Sequence, residues 1–202
     1  MTSSPGTGAG PVHQRLRLAT SEAHQRIEGR MPFGAPSFDV AAYRRLLGAF
    51  VGFYRPLEAR LAPQAGAIAG LQWPRRVKLP LLMCDLRSLG MAQADVDALV
   101  SCSRLPSLDH PARALGCLYV LEGSTLGGQV VQRLLVERFG MAVADALSFF
   151  RSYGTEVGKH WRSFLGCLEA LGPGPDAGEA ERAAIETFDL LENWLQQREV
   201  LS

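Results

Sequence analysis

Leu121–Gln129 reads LEGSTLGGQ and separates two segments that are otherwise typical of an α-helix. Apolar residues recur at helical spacing in Ala112–Val120 before it and in Val130–Phe139 after it. A glycine inside a helix costs about 1 kcal/mol relative to alanine, so three of them cost about 3 kcal/mol if the helix continues. The stretch therefore either ends a helix or serves something that requires bare backbone.

Three interpretations of this stretch are compatible with its residues. It is a tight turn in which Ser124 or Thr125 caps the following helix, or it is a small-residue face in close contact with another helix. In the third interpretation Gly123 and Gly127, four residues apart on one helix face, place bare backbone against a flat ligand. A phosphate-binding loop is excluded, since neither GxxxxGK[ST] nor GxGxxG is present and no strand precedes the stretch.

Helical periodicity dominates the rest of the chain and predicts an all-α fold. Predicted helices cover Leu16–Glu28, Asp39–Leu61, Pro74–Leu89, Gln93–Cys102, Asp109–Glu122, Val130–Phe139, Ala142–Leu171 and Glu179–Val200. Asp39 is the expected N-cap of its helix, and Pro56 is expected to kink or break it. We predict a disordered, Gly/Pro-rich N-terminal segment over residues 1–11 and one helical domain over residues 12–202.

The composition is that of an ordinary soluble globular protein. Of the 202 residues, 47% are apolar and 20% charged, and the net charge of +1 gives no reason to expect binding to nucleic acid or to an acidic membrane surface. The N-terminus does not resemble a secretory signal, and no apolar run approaches the length needed to cross a bilayer. Four cysteines without a CxxC pair indicate reduced thiols, so we expect a cytoplasmic protein.

His24, in the segment ATSEAHQRIE (Ala19–Glu28), is a candidate metal ligand. No two histidines have the HxxxH or ExxH spacing of a non-haem metal site. A single imidazole suits haem, because the porphyrin itself supplies four nitrogen ligands. The alternative is an ordinary surface or partly buried histidine.

A basic pair follows in the segment GKHWRSF (Gly158–Phe164). Lys159 and Arg162 are about one helical turn apart and are candidates for binding carboxylates such as haem propionates. The alternative is a solvated basic helix face.

Taken together, these segments resemble the biliverdin-producing haem oxygenases. The matching parts are LRLATSEAH, YVLEGSTLGGQV and WRSFLGCLE, and their order and spacing are preserved over Val12–Val200. The sequence LEGSTLGGQ is most similar to that of the bacterial branch of the family, which is associated with phytochromes. Phytochromes need a bilin chromophore.

The resemblance implies a single-domain, multi-helix fold in which haem is sandwiched between a proximal helix and a kinked, glycine-rich distal helix. His24 would be the proximal iron ligand, and Arg17 and Arg162 would contact propionates, with Lys159 near them. The implied haem-binding residues are His24, Arg17, Thr20, Gly123, Gly127, Gly128, Lys159 and Arg162, and the implied catalytic positions are Gly123, Ser124 and Gly127. The glycine backbone would form a low ceiling over the macrocycle.

The resemblance also implies an activity, the oxidative opening of haem b to biliverdin with release of iron and CO. O2 is the oxidant, and electrons would come from a ferredoxin or an NAD(P)H-dependent reductase, since the chain carries no flavin or Fe–S signature. A bacteriophytochrome is the implied recipient of biliverdin. One departure is Ser124, which stands where the best-known members have an aspartate that anchors distal water.

Three other functions remain open on the sequence. A non-catalytic haem carrier on the same fold is favoured by Ser124, because a hydroxyl holds water but carries no charge. A thiamin-degrading type of enzyme would need a nucleophilic cysteine, yet Cys84, Cys102, Cys117 and Cys167 lie at apolar positions without a neighbouring histidine. A helical interaction module would use the glycines to contact a partner helix.

Overall fold

The computed structural model describes residues 10–202, which form helices and no strands, and the all-α prediction is confirmed. The α-helices are α1 (Pro11–Arg30), α2 (Val40–Ala67), α3 (Leu79–Ser88), α4 (Gln93–Asp97), α5 (Pro111–Phe139), α6 (Ser148–Arg151), α7 (Val157–Glu169) and α8 (Pro175–Gln197). Short 3-10 helices cover Pro32–Gly34, Trp73–Arg75, Gly140–Val143 and Gly154–Glu156. Within this range, no helix combines the length and apolarity that a membrane span requires.

The predicted disordered segment lies outside the described residues except for its last two positions. Gly10 is the N-cap of α1 and Pro11 is its first residue. Proline suits this position because its missing N–H would have no partner in the first turn and its φ is already helical.

α8 packs against both α1 and α5 and holds them at a fixed separation. Towards α5, the contact is backbone to backbone, since a Cβ atom at Gly116 would overlap the carbonyl group of Ala180. Towards α1, Arg26 forms ion pairs with Asp189 at 2.9 Å and with Glu192 at 2.6 Å. The two helices that carry the glycine-rich stretch and His24 are thereby joined through a third.

α5 runs unbroken through LEGSTLGGQ, so the two separate helices predicted here, and the turn between them, are wrong. The Ser124 hydroxyl donates to the Leu121 carbonyl at 2.8 Å, and the Thr125 hydroxyl donates to the Glu122 carbonyl at 2.6 Å. Both side chains therefore bond back to their own helix instead of capping a new one.

α2 begins as predicted, because the Asp39 carboxylate accepts a hydrogen bond from the Ala42 N–H at 2.7 Å. It does not break at Pro56 and continues past Pro63 to Ala67. Fourteen of its residues are buried, and this tertiary packing outweighs the local cost of the two prolines.

Several other boundaries differ from the sequence prediction. α3 begins at Leu79 instead of Pro74, α4 ends at Asp97 instead of Cys102, and α8 begins at Pro175 instead of Glu179. The Cys102 N–H donates to the carbonyl of Gly52 in α2 at 2.8 Å, so the chain after α4 is held by a long-range contact.

The predicted helix Ala142–Leu171 is also wrong, because the chain turns sharply between α6 and α7. Ser152 and Gly154 have φ values of 40° and 55°, which no α-helix contains. The buried Asp85 carboxylate in α3 accepts hydrogen bonds from the N–H groups of Ser148 at 2.7 Å and Phe149 at 2.8 Å. These bonds fix the start of α6 and with it the two phenylalanines that follow Ser148.

We expect Asp85→Ala to lower the free energy of unfolding by about 2–4 kcal/mol, since it leaves two backbone N–H groups without an acceptor. The measurement is urea denaturation of the haem-free protein. Asp145→Ala is the control, because Asp145 is exposed and its removal should change stability by less than about 0.5 kcal/mol. Equal stabilities of the two variants would contradict the role given to Asp85.

Candidate functional site

A cavity of about 610 Å³ lies between α1 and α5, with further walls from α2, α6, α7 and α8. This volume falls in the range of small-molecule and cofactor sites, about 300–1,000 Å³. Of the residues predicted to bind haem, six line it, as does the predicted catalytic position Ser124; the six are His24, Arg17, Thr20, Gly123, Gly127 and Gly128. The two motifs that the sequence separates by about 100 residues therefore meet at one site.

His24 is presented by α1 with its side chain half exposed to the cavity. Its Nδ1 atom lies 3.2 Å from the Glu28 carboxylate, one helical turn further along, and its ring packs edge-on against Phe188 at 5.8 Å. The carboxylate occupies one ring nitrogen and leaves Nε2 for a ligand, which is the usual way in which proteins orient a metal-binding imidazole.

Arg17 and Thr20 lie on the same face of α1 as His24. Among residues 10–202, no carboxylate forms an ion pair with Arg17, whose exposed side chain borders the cavity. Thr20 is buried, and its hydroxyl donates to the Leu16 carbonyl at 2.8 Å. Arg17 is therefore available to a ligand, whereas the Thr20 hydroxyl is bonded to its own helix.

On the α5 side, two of the glycines leave space that belongs to the cavity. A Cβ atom at Gly127 would have no neighbouring atom within 4 Å, and one at Gly123 would lie 3.9 Å from Trp161. The fold does not need a glycine at either position, so their bare backbone serves the cavity.

Gly128 has the opposite role. A Cβ atom there would overlap the carbonyl oxygen of Phe150 in α6, so α5 and α6 touch through backbone atoms. Gly128 therefore matches the interpretation as helix packing, whereas Gly123 and Gly127 leave space at the cavity, as the interpretation as a ligand face requires.

Lys159 and Arg162 do not line the cavity. Lys159 forms an exposed ion pair with Glu156 at 2.9 Å, and the Arg162 side chain is exposed on α7. Their neighbour Trp161 does line the cavity, and it packs against His13 at 5.6 Å and Tyr119 at 5.9 Å.

Sequence reasoning missed most of the aromatic wall and one buried cation. The missed lining residues include His13, Phe50, Tyr54, Lys78, Tyr119, Phe149, Phe150 and Trp161. Trp161 stood within the quoted segment GKHWRSF, and His13 precedes Arg17 by four residues on one helix face, so both had a local signal. Tyr119 likewise belongs to the quoted segment YVLEGSTLGGQV, and the remaining residues are brought to the cavity by long-range packing.

Behind the α5 wall lies a buried polar cluster around Glu122. Arg76 forms an ion pair with its Oε2 atom, the Tyr153 hydroxyl donates to Oε1 at 2.7 Å, and Lys78 Nζ lies 3.6 Å from Oε1. The side chains of Glu122, Arg76 and Lys78 are all at most 2% exposed. Burial raises the pKa of the Tyr153 hydroxyl, so it remains a donor.

Fold and cavity together define a class, that of all-helical proteins that hold one large ligand between two helices, with a histidine on one side and glycine backbone on the other. Among the described residues, no group of three or more His, Cys, Asp or Glu is placed to hold a bare metal ion.

Comparison with known proteins gives the particular family. The sequence profile of the heme oxygenase family matches residues 11–197. The chain is 34% identical over 136 residues to a heme oxygenase of Xanthomonas campestris pv. campestris, an alignment that covers 67% of this chain and 77% of the relative. The chain therefore belongs to the haem oxygenase family, and the predicted family and enzyme class are confirmed.

Solved structures show the same fold. A heme oxygenase from Leptospira interrogans superposes with a TM-score of 0.76 at 17% identity, covering 93% of this chain and all of that one. Heme oxygenase-1 from the cyanobacterium Synechocystis sp. PCC6803, in complex with heme, superposes with a TM-score of 0.65 at 16% identity, covering 94% and 95%.

The two adjacent glycines of α5 provide a matched pair for a test. We expect Gly127→Ala to leave the haem-free protein equally stable or more stable by up to about 1 kcal/mol, because alanine is the better helix former and the space is open. Gly128→Ala should destabilise it by about 1–3 kcal/mol, since the added methyl group overlaps Phe150. Thermal and urea denaturation of both haem-free variants measure the difference, and a destabilised Gly127→Ala would contradict the assignment.

Proposed function

We propose that this protein binds haem b between α1 and α5 and opens its ring to biliverdin, with release of iron and CO. The observation that carries the proposal is the placement of His24 and of the Gly123–Gly127 backbone around one cavity. Haem, when bound, supplies the iron at which O2 is reduced; the residues described below bind it, orient it and control the protons.

His24 would hold the haem iron through its Nε2 atom. The Glu28 carboxylate, 3.2 Å from Nδ1, would hold the ring with Nε2 available to the iron. A neutral imidazole donates less electron density than a thiolate, and this disfavours early O–O bond cleavage.

Arg17 is the proposed partner of a haem propionate, because it borders the cavity without an ion-pair partner among the described residues. His13, one turn earlier, lines the same part of α1, and its buried Nδ1 atom has no hydrogen-bond partner there. Lys159 and Arg162 remain predicted propionate contacts from the family resemblance, and the second prediction below separates them from Arg17.

Gly123 and Gly127 form the proposed low ceiling over the ring. A side chain at either position would enter the cavity, and its absence lets a flat macrocycle approach the helix backbone. Ser124 lies between them at the cavity, and its hydroxyl donates to the Leu121 carbonyl of the same helix, which orients it. Burial raises the pKa of Tyr54, which keeps its hydroxyl protonated.

The electron donor and the user of the product complete the proposal. We infer an external ferredoxin or NAD(P)H-dependent reductase as donor, O2 as oxidant, and a bacteriophytochrome as recipient of biliverdin. A cytoplasmic location stays a prediction; it fits the four cysteines, all of which are unpaired.

We expect His24→Ala to lose axial ligation and ring opening together. The measurement is an absorption titration with hemin, followed by addition of reductant under air: the wild-type protein should give a one-to-one Soret band that decays to the broad red absorption of biliverdin. His110→Asn is the control, since asparagine also caps a helix and His110 lies outside the cavity. An unchanged ferric spectrum in His24→Ala would overturn the assignment of the ligand, and a stable wild-type Soret band would favour the haem carrier.

We expect Arg17→Ala to weaken hemin binding about fivefold, which corresponds to about 1 kcal/mol for an exposed charge pair. Arg162→Ala should leave the dissociation constant unchanged, because its side chain points away from the cavity lining. Fluorescence quenching of the cavity tryptophan Trp161 measures both constants. If Arg162→Ala weakened hemin binding more than Arg17→Ala did, the propionate-binding residue would lie on α7.

A further inference from the structure

Lys78 is a buried cation that borders the cavity. Its backbone N–H donates to the Glu58 carboxylate at 2.6 Å, which fixes the residue at the start of α3. Its side chain is 2% exposed, and its Nζ atom lies over the ring of Tyr153, 3.7 Å from the centroid. The residue nevertheless lines the same cavity as Ser124.

The ammonium group lacks a hydrogen-bond acceptor among residues 10–202. Its Nζ atom has no partner within hydrogen-bond distance, and the Glu122 carboxylate at 3.6 Å is already occupied by Arg76 and Tyr153. An ammonium group has three N–H donors, and leaving them unpaired in a buried site is costly. Glu122 remains its nearest counter-charge, and because Lys78 also lines the cavity, cavity solvent is a further source of acceptors for this group.

On the basis of the proposed haem oxygenase function, we propose that Lys78 is a positioning residue for the α5 side of the cavity: its Nζ–H group donates a hydrogen bond to cavity solvent and orients the water that Ser124 also binds. Lys78 thereby orders the water that an aspartate at the position of Ser124 anchors in the best-known haem oxygenases. A cationic donor accepts nothing, so water bound to it turns its own O–H groups away from Lys78 and towards the ligand. A carboxylate at position 124 would instead accept hydrogen bonds from the water, and would therefore orient that water in the opposite direction.

The charge of Lys78 depends on pH in an accessible range. Burial lowers the pKa of Lys78 to about 8, the Arg76 charge lowers it further, and the Glu122 and Glu58 carboxylates oppose the shift. The remaining titratable groups at this cluster are Tyr153, which stays protonated, and His160, whose pKa burial and Arg76 lower. The cationic donor is therefore present below about pH 8 and is lost as the pH rises through that value.

The chain has two lysines, so Lys78 can be observed directly. We expect protein labelled with 13Cε-lysine to give two lysine resonances, with the exposed Lys159 as reference and Lys159→Arg as the assignment variant. In the haem-free protein the Lys78 resonance should titrate near pH 8. Zinc protoporphyrin, a diamagnetic analogue that cannot turn over, should shift the Lys78 resonance and its midpoint and leave Lys159 unchanged. If neither the Lys78 resonance nor its titration midpoint shifted when the porphyrin bound, the proposal would be overturned.

Two variants test the role in the reaction. Lys78→Met should keep hemin affinity within about twofold but slow ring opening at pH 7 by about 10- to 100-fold, as expected for a residue that orients a reacting group. Lys78→Arg should retain most of the rate and lose the decline that the wild-type protein shows above pH 8, since arginine stays charged. Arg87→Met is the matched control, because it removes an exposed positive charge of the helix that follows Lys78 and lies outside the cavity lining.

The outcomes separate this proposal from the proposed function. If wild-type protein opens haem and Lys78→Met does so at the same rate with the same pH profile, the role of Lys78 is refuted and the function stands. If wild-type protein binds hemin without turnover, the proposed function fails, and the titration with zinc protoporphyrin still decides whether Lys78 donates into the cavity.

Discussion

The contact between the backbone of α5 and its neighbours is the constraint on which the site depends. At Gly116 the helix touches the carbonyl of Ala180 in α8, and at Gly128 it touches the carbonyl of Phe150 in α6. No side chain fits at either point, so α5 is held at two places twelve residues apart with little freedom to shift. The intervening turns, with Gly123 and Gly127, are thereby held beside the cavity, and neither glycine is in close backbone contact of this kind. Gly116 and Gly128 thus fix the position of α5, and Gly123 and Gly127 leave space at the cavity.

Buried charged side chains also fix the position of α5, on the side of the helix that faces away from the cavity. Glu122 faces away from the cavity and gathers Arg76, Tyr153 and Lys78, while Glu58 and Asp85 each bind the start of a following helix through backbone N–H groups. Each carboxylate is fully engaged, which offsets the cost of burying it. The Lys78 ammonium is the exception, because its neighbours have already used their acceptors.

The parts of this site that the sequence predicts are those encoded within a single helix. His24, Arg17 and Thr20 follow one another at helical spacing, as do Gly123 and Gly127, and the structure brings both sets to one cavity. The sequence predicts helix ends less well where long-range hydrogen bonds determine them. The Asp85 carboxylate accepts from the first N–H group of α6, and the Gly52 carbonyl accepts from the chain that follows α4. Lys78 and Glu122 gave no local signal, since their proximity depends on how α3 lies against α5. Lys159 and Arg162 lie outside the cavity lining, and a basic pattern on α7 does not by itself determine which way that helix face turns.

The two sides of the cavity differ in their access to water, and this difference matters for their chemistry. His24 and Glu28 on α1 are at least half exposed, so solvent screens their mutual interaction and a ligand reaches them directly. Lys78 and Glu122 on the opposite side are almost fully buried, where charges act through a low dielectric and hydrogen bonds from a cation are strong. An exposed imidazole suits the exchange of a ligand, whereas a buried donor suits the control of protons, because water enters only where the protein directs it. The two helices also differ in packing: α1 lies mainly on α8, with a smaller contact to α7, whereas α5 is enclosed by four other helices.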